Sequence, residues 1–131
     1  MKEFMFFIRK NSISEETLSE DKFKKFLESC EVYIEGLKKT GKLISAQPIQ
    51  RAGNIISVKS GELDELPYQE GREYIGGYYH IRAEDLDEAI FIAKQNPEFD
   101  YNPDTRIEVR PIKMKEDKTG FVYPAPNLEN R

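Results

Sequence analysis

The chain has 131 residues, 38% hydrophobic and 34% charged, with a formal net charge of -4. That length fits one domain with a modest core, and mixed, mildly acidic charge with no Lys/Arg block argues against nucleic acid or an anionic membrane as the main partner. Cys30 is the only cysteine; an intramolecular disulfide and a zinc site built from several thiolates are excluded. With no signal peptide and no apolar run near the ~20 residues of a membrane span, a cytoplasmic location is expected.

Phe4-Met5-Phe6-Phe7-Ile8 is a continuous apolar run, too short for a helix, and reads as a buried central strand. Thr17 and Glu20 have capping-box spacing. From there Phe23, Phe26, Leu27, Cys30, Tyr33, Ile34 and Leu37 recur at three- and four-residue steps, one stripe of a helix that Gly41 ends. Leu43 to Ala46 and Ile55 to Val58 predict two short strands, the first stopped near Pro48 and the second by Ser60-Gly61. Glu62 to Arg72 reads as a long polar loop, a length usually functional or packed on a partner.

Tyr74 to Arg82 predicts the best strand, with Tyr78, His80 and Arg82 on one face and Gly77, Tyr79, Ile81 and Ala83 on the other. Asp85 and Glu88 repeat the capping-box spacing. Leu86, Ala89, Ile90 and Ala93 form the expected inner stripe, and Pro97 stops that helix. Arg106 to Ile112 is the last predicted strand. Residues 1–113 thus read as one domain and 114–131 as a tail, with Phe121-Val122-Tyr123 its only sticky part.

This order predicts an α+β fold, a ferredoxin-like sandwich with two helices on one face of an antiparallel sheet. Phe23, Phe26, Cys30, Tyr33, Leu37, Leu86, Ala89 and Ile90 are the expected helix contacts. The aromatic first strand and Tyr78-Tyr79 make a bare second sheet face improbable, so that face is expected to meet a second subunit in a homodimer.

Glu65-Leu66-Pro67-Tyr68-Gln69-Glu70 followed by Gly76-Gly77-Tyr78-Tyr79 resembles the YCII-related family, in particular its DGPF-containing subgroup. Those proteins carry D-G-P-F-x-E, a spacer and G-G-Y-Y. Pro67, Glu70 and the Gly76 to Tyr79 run match outright, Tyr68 replaces a phenylalanine, and Glu65-Leu66 departs from the pattern. Asp85-Leu86-Asp87-Glu88-Ala89 and Ile107-Glu108-Val109-Arg110-Pro111-Ile112 also look like the family. The resemblance implies a dimeric α/β barrel whose two sheets face one another, and little chemistry. Shorter members carry a His on the first helix and an Asp before the proline that follows the second; Cys30 and Asn96 stand at those positions here.

His80, the only histidine, is the one side chain whose ordinary pKa lies near neutrality. It is the candidate general acid or base, against the bland and more common role of a packed, hydrogen-bonded strand histidine. Tyr78, Arg82, Tyr68, Glu65 and Glu70 are the candidate ligand-binding residues, since the loop feeds directly into the strand face that holds His80. A Pro-aromatic loop there can offer Tyr68 as a stacking wall. Cys30, on an apolar stripe, reads as a small hydrophobe rather than a nucleophile. Gly76-Gly77 precedes a strand, so it is no phosphate loop; it allows close approach of another backbone or ring. No spacing supports a metal site, and no cofactor is expected.

The reading is a module that binds a small polar ligand, or a regulatory one; the alternative is an enzyme using acid–base chemistry at His80. A purely structural role for the Phe121 to Tyr123 tail is the third class.

Overall fold

The structure, a computed structural model, describes residues 1–12 and 18–125. The elements in chain order are β1 (Lys2–Asn11), α1 (Glu20–Lys39), β2 (Leu43–Pro48), β3 (Asn54–Lys59), β4 (Glu62–Pro67), β5 (Glu73–Ala83), α2 (Leu86–Lys94), α3 (Glu98–Tyr101) and β6 (Arg106–Pro111). Four strands form an antiparallel sheet in the order β2-β5-β1-β6, and β3 and β4 form a separate hairpin. With β5 inserted between β1 and β2, and α1 and α2 packed into one core on the same sheet face, the architecture is α+β and consistent with a ferredoxin-like fold.

The core follows from period-2 alternation. Phe4, Phe6 and Ile8 of β1 and Tyr79, Ile81 and Ala83 of β5 point to the helices and are buried with Leu37, Ala89, Ile92 and Ala93. Tyr78, His80 and Arg82 stand on the opposite face, half-buried, as the alternation predicts. A bulge interrupts the ladder: Ile8 pairs with Gly77 and Arg9 with Ile75, so Gly76 is the extra residue. The skipped residue reverses the parity of the strand before it. Tyr74, which plain alternation would place with Tyr78, is buried instead.

Two helix expectations change. Phe23 and Leu86 stay largely exposed and Ile90 is only half-buried; Ile92 takes the core position on α2. Phe26 is buried not by the sheet centre but by the Tyr101 ring, 5.4 Å away between centroids, and by Lys10 over its face. Ser19 caps α1, its Oγ accepting from the Lys22 amide at 3.3 Å, while Thr17 lies outside the described residues. Asp85 caps α2 as its spacing predicts, accepting from the Glu88 amide at 2.8 Å.

The expected long loop is instead half strand. Glu62 to Pro67 pairs with Asn54 to Lys59 around a two-residue turn, Ser60 at φ 53° and Gly61 at φ 79°. Two left-handed residues make the type I′ turn that matches strand twist. The polar content of Glu62, Asp64 and Glu65 hid the strand, because a hairpin lying on no sheet has no buried face to impose alternation.

Gly77 is required by close approach: a Cβ there would sit 3.0 Å from the Gln47 carbonyl oxygen and 3.2 Å from Pro48 Cα. Both are backbone atoms, so they yield only by shifting β2. Gly77→Ala is expected to cost about 1–3 kcal/mol, as overpacking does, read as a lowered urea midpoint with unchanged slope.

Candidate functional site

Ala46 of β2 and Gly76 and Gly77 of β5 line one side of a space whose other side is formed by Cys30, Ile34 and Leu27 of α1. The result is a cleft of about 290 Å³ between α1 and the β2–β5 half of the sheet. Ile8, Phe26 and Pro48 add to its mostly apolar wall, Glu31, Gln47, Tyr79 and Glu98 also line it, and Tyr78 is the one expected site residue that borders it.

Beneath it lies a polar cluster assembled from four elements. Glu98 of α3 is buried and forms an ion pair with Lys10 of β1. Asn96, almost fully buried, accepts the Glu98 amide on Oδ1 at 2.9 Å, which starts α3 after Pro97. Among the described residues its Nδ2 has no partner within bonding distance, though it lies close enough to the Tyr33 and Tyr79 hydroxyls to offset part of their shift. The Tyr33 hydroxyl donates to the Ile92 carbonyl at 2.7 Å, and the Tyr33 and Tyr79 rings meet edge to face.

Burial dominates the electrostatics. It pushes the Cys30 thiol up to about 11, Glu98 adding to the rise and Lys10 opposing it. Burial likewise raises both tyrosines, Tyr33 with help from Tyr79 and Tyr79 with help from Cys30. The cluster near neutral pH therefore offers a neutral thiol and two neutral hydroxyls. That inventory suits hydrogen bonding to a bound molecule rather than nucleophilic attack, which needs thiolate.

The residues expected to form the site divide into two groups. Tyr78, His80 and Arg82 share the outer sheet face, as expected. His80 Nε2 lies 2.6 Å from Glu3 Oε1, a diagonal pair across the β1–β5 ladder, and the Tyr78 hydroxyl is 3.0 Å from Ser45 Oγ. Arg82 makes no ion pair among the described residues. Tyr68 and Glu70 sit at the root of the hairpin, where Arg51 pairs with Glu70, holds its carboxyl below the usual range, and covers the Tyr74 ring at 4.2 Å. Glu65 lies exposed on β4, accepting from Asn54 Nδ2 at 3.2 Å. Among the described residues no hydrogen bond or ion pair joins the two groups.

Sequence reasoning missed Glu3, the charge partner of His80, because it is 77 positions away. It also missed Lys10, Tyr33, Tyr79 and Glu98 as a cluster. One signal was available: Ala89, Ile92, Ala93 and Asn96 fall at helical steps on one stripe, which places Asn96 inside. Among the described residues no group of three or more His, Cys, Asp or Glu is arranged to hold a metal ion, and no helix is long and apolar enough to cross a membrane.

The family model described as the YCII-related domain matches residues 4–114. No curated protein matches the chain.

The thiol assignment is directly measurable. Alkylation of Cys30 by iodoacetamide should rise with pH toward a midpoint of about 11, well above the ordinary thiol near 8.5, and Glu98→Gln should move that midpoint down. The unfolded chain loses the thiol proton first, so stability should be full below the ordinary thiol range and decline as pH climbs toward about 11. A midpoint at or below 8.5 contradicts a desolvated thiol.

Proposed function

The chain belongs to the YCII-related domain family, and from that premise we propose that it is a small-ligand-binding or regulatory module. Its binding site is the cleft between α1 and the β2–β5 half of the sheet. The observation that carries this reading is the cleft itself: about 290 Å³, lined by Ala46, Gly76 and Gly77 among others and walled mainly by apolar side chains. Ligand sites are concave, largely apolar and marked by a few converging polar groups. The greater part of the ligand is accordingly apolar and compact, with a polar end directed to Cys30, Tyr79 and Glu98.

A second reading keeps the acid–base enzyme, and one observation favours it. The 2.6 Å contact between His80 and Glu3 is the carboxylate–imidazole arrangement that orients a general base. Tyr78 and Arg82 stand beside it on the same face, so a small polar substrate with an anionic group would meet a base, a hydroxyl and a cation there. Tyr68, Glu65 and Glu70 would join only if the hairpin or a partner brings them over that face.

Within the family, Pro67, Glu70 and the Gly76 to Tyr79 run support the DGPF-like subgroup. The same proposal includes a homodimer with outer sheet faces paired, a domain over residues 1–113 with a tail from 114 to 131, and a cytoplasmic location.

A thermal-shift screen of small metabolites separates the two sites. A ligand of the cleft should raise Tm in wild type, lose at least tenfold in affinity in Cys30→Leu, which fills the cleft, and bind His80→Ala unchanged. If His80→Ala abolishes binding or turnover while Cys30→Leu does not, the second reading replaces the first.

A further inference from the structure

We propose that the β3–β4 hairpin is an arm that docks on a second copy of this chain. An isolated two-stranded hairpin is at best marginally stable in water, and among the described residues this one has no extensive packing on any other element. Its side chains nonetheless belong to a core. Ile56 is 70% exposed, Val58 69% and Leu63 80%, and Ile55 and Leu66 are at least half exposed.

The register places these residues on both faces. Val58 lies opposite Leu63 with Ile56 beside them on one face, and Ile55 lies opposite Leu66 on the other. A lid folded onto its own cleft would cover one face only. The root itself is fixed to β5: Arg51 lies between Glu70 and the Tyr74 ring, and the Ile49 amide donates to the Gly76 carbonyl at 2.9 Å.

Charge points to a second copy as the occupant. The outer sheet face of this chain carries Arg82, which makes no ion pair among the described residues, and the exposed guanidinium groups of Arg106 and Arg110, a complement to an acidic arm. A two-fold axis would let each arm cover the other subunit. A six-residue strand reaches about 20 Å, enough to cross a neighbouring sheet. Glu62, Asp64 and Glu65 outnumber Lys59 along the arm, which disfavours an anionic lipid surface.

The inference rests on the proposed homodimer only for the existence of a second copy; the element that holds it is new. Sedimentation velocity on the full chain, with ligand-induced Tm shifts read in parallel, tests the two separately. Wild type should be a dimer at micromolar concentration. Val58→Asp with Leu63→Asp, and independently Ile55→Asp with Leu66→Asp, should each raise the dimer dissociation constant at least 100-fold. Far-UV circular dichroism and the cleft's Tm shift should be unchanged. A dimer that persists in both variants overturns the arm and leaves the homodimer standing. A wild-type monomer at 100 μM overturns both, whether its hairpin amides exchange freely, are protected as a lid on its own chain, or become protected on neutral lipid vesicles.

Discussion

The β1–β5 ladder is the constraint on which the other features depend. These are the two central strands, paired antiparallel from Lys2–Ala83 to Asn11–Glu73. Their inward residues form the most deeply buried part of the core: Phe4, Phe6 and Ile81 retain almost no exposed surface. Each such side chain contributes about 1.5–3 kcal/mol by leaving water. A slip of one residue would turn all of them outward, so the register is strongly specified. The same register puts Glu3 beside His80 and Ser45 beside Tyr78 on the outer face.

The one defect in that ladder lies at the cleft. Gly76 bulges out of register, and Gly77 lacks the side chain that would otherwise meet the incoming β2 backbone. A bulge bends its strand and re-aims side chains; here it moves Tyr74 inward, where Arg51 covers its ring, and anchors the hairpin root at the cleft edge. Cleft and hairpin root thus meet at one bulged residue, Gly76, which lines the first and accepts the Ile49 amide of the second.

Desolvation outweighs charge in the cluster below the cleft. Lys10 would favour a thiolate at Cys30, but it is paired with Glu98, whose own charge opposes it. The neutral amide of Asn96 fits the same logic. A carboxylate at that depth would require compensation, since buried charges are costly unless paired, whereas the amide caps α3 with its oxygen. The cost falls on Nδ2, unpartnered and buried, at about 1–3 kcal/mol. The outer face carries the opposite balance, with Arg9 and Arg106 paired to Glu73, and Arg9 and Arg110 paired to Glu108. Most of its charges are matched, with Arg82 the exception among the described residues.

The sequence by itself determined the order and type of most elements, the face that Tyr78, His80 and Arg82 share, the cap of α2 and the end of α1. Each rests on a local rule: period-2 or period-3.6 burial, a capping side chain, a glycine or proline stop. Only the tertiary structure decided what depends on residues far apart in the chain. Tyr74 is buried because Gly76 drops out of a register set by β1. Phe26 is covered by Tyr101 and by Lys10 at the end of β1 rather than by the sheet centre, and Glu62 to Pro67 is strand because β3 pairs with it. His80 acquires Glu3 from the first strand. Cys30 and Asn96, 66 positions apart, meet around Tyr79 because two helices share one sheet face. Local patterns specify which side of an element is apolar; which partner occupies that side is settled by the crossing of strands, and no window of sequence contains it.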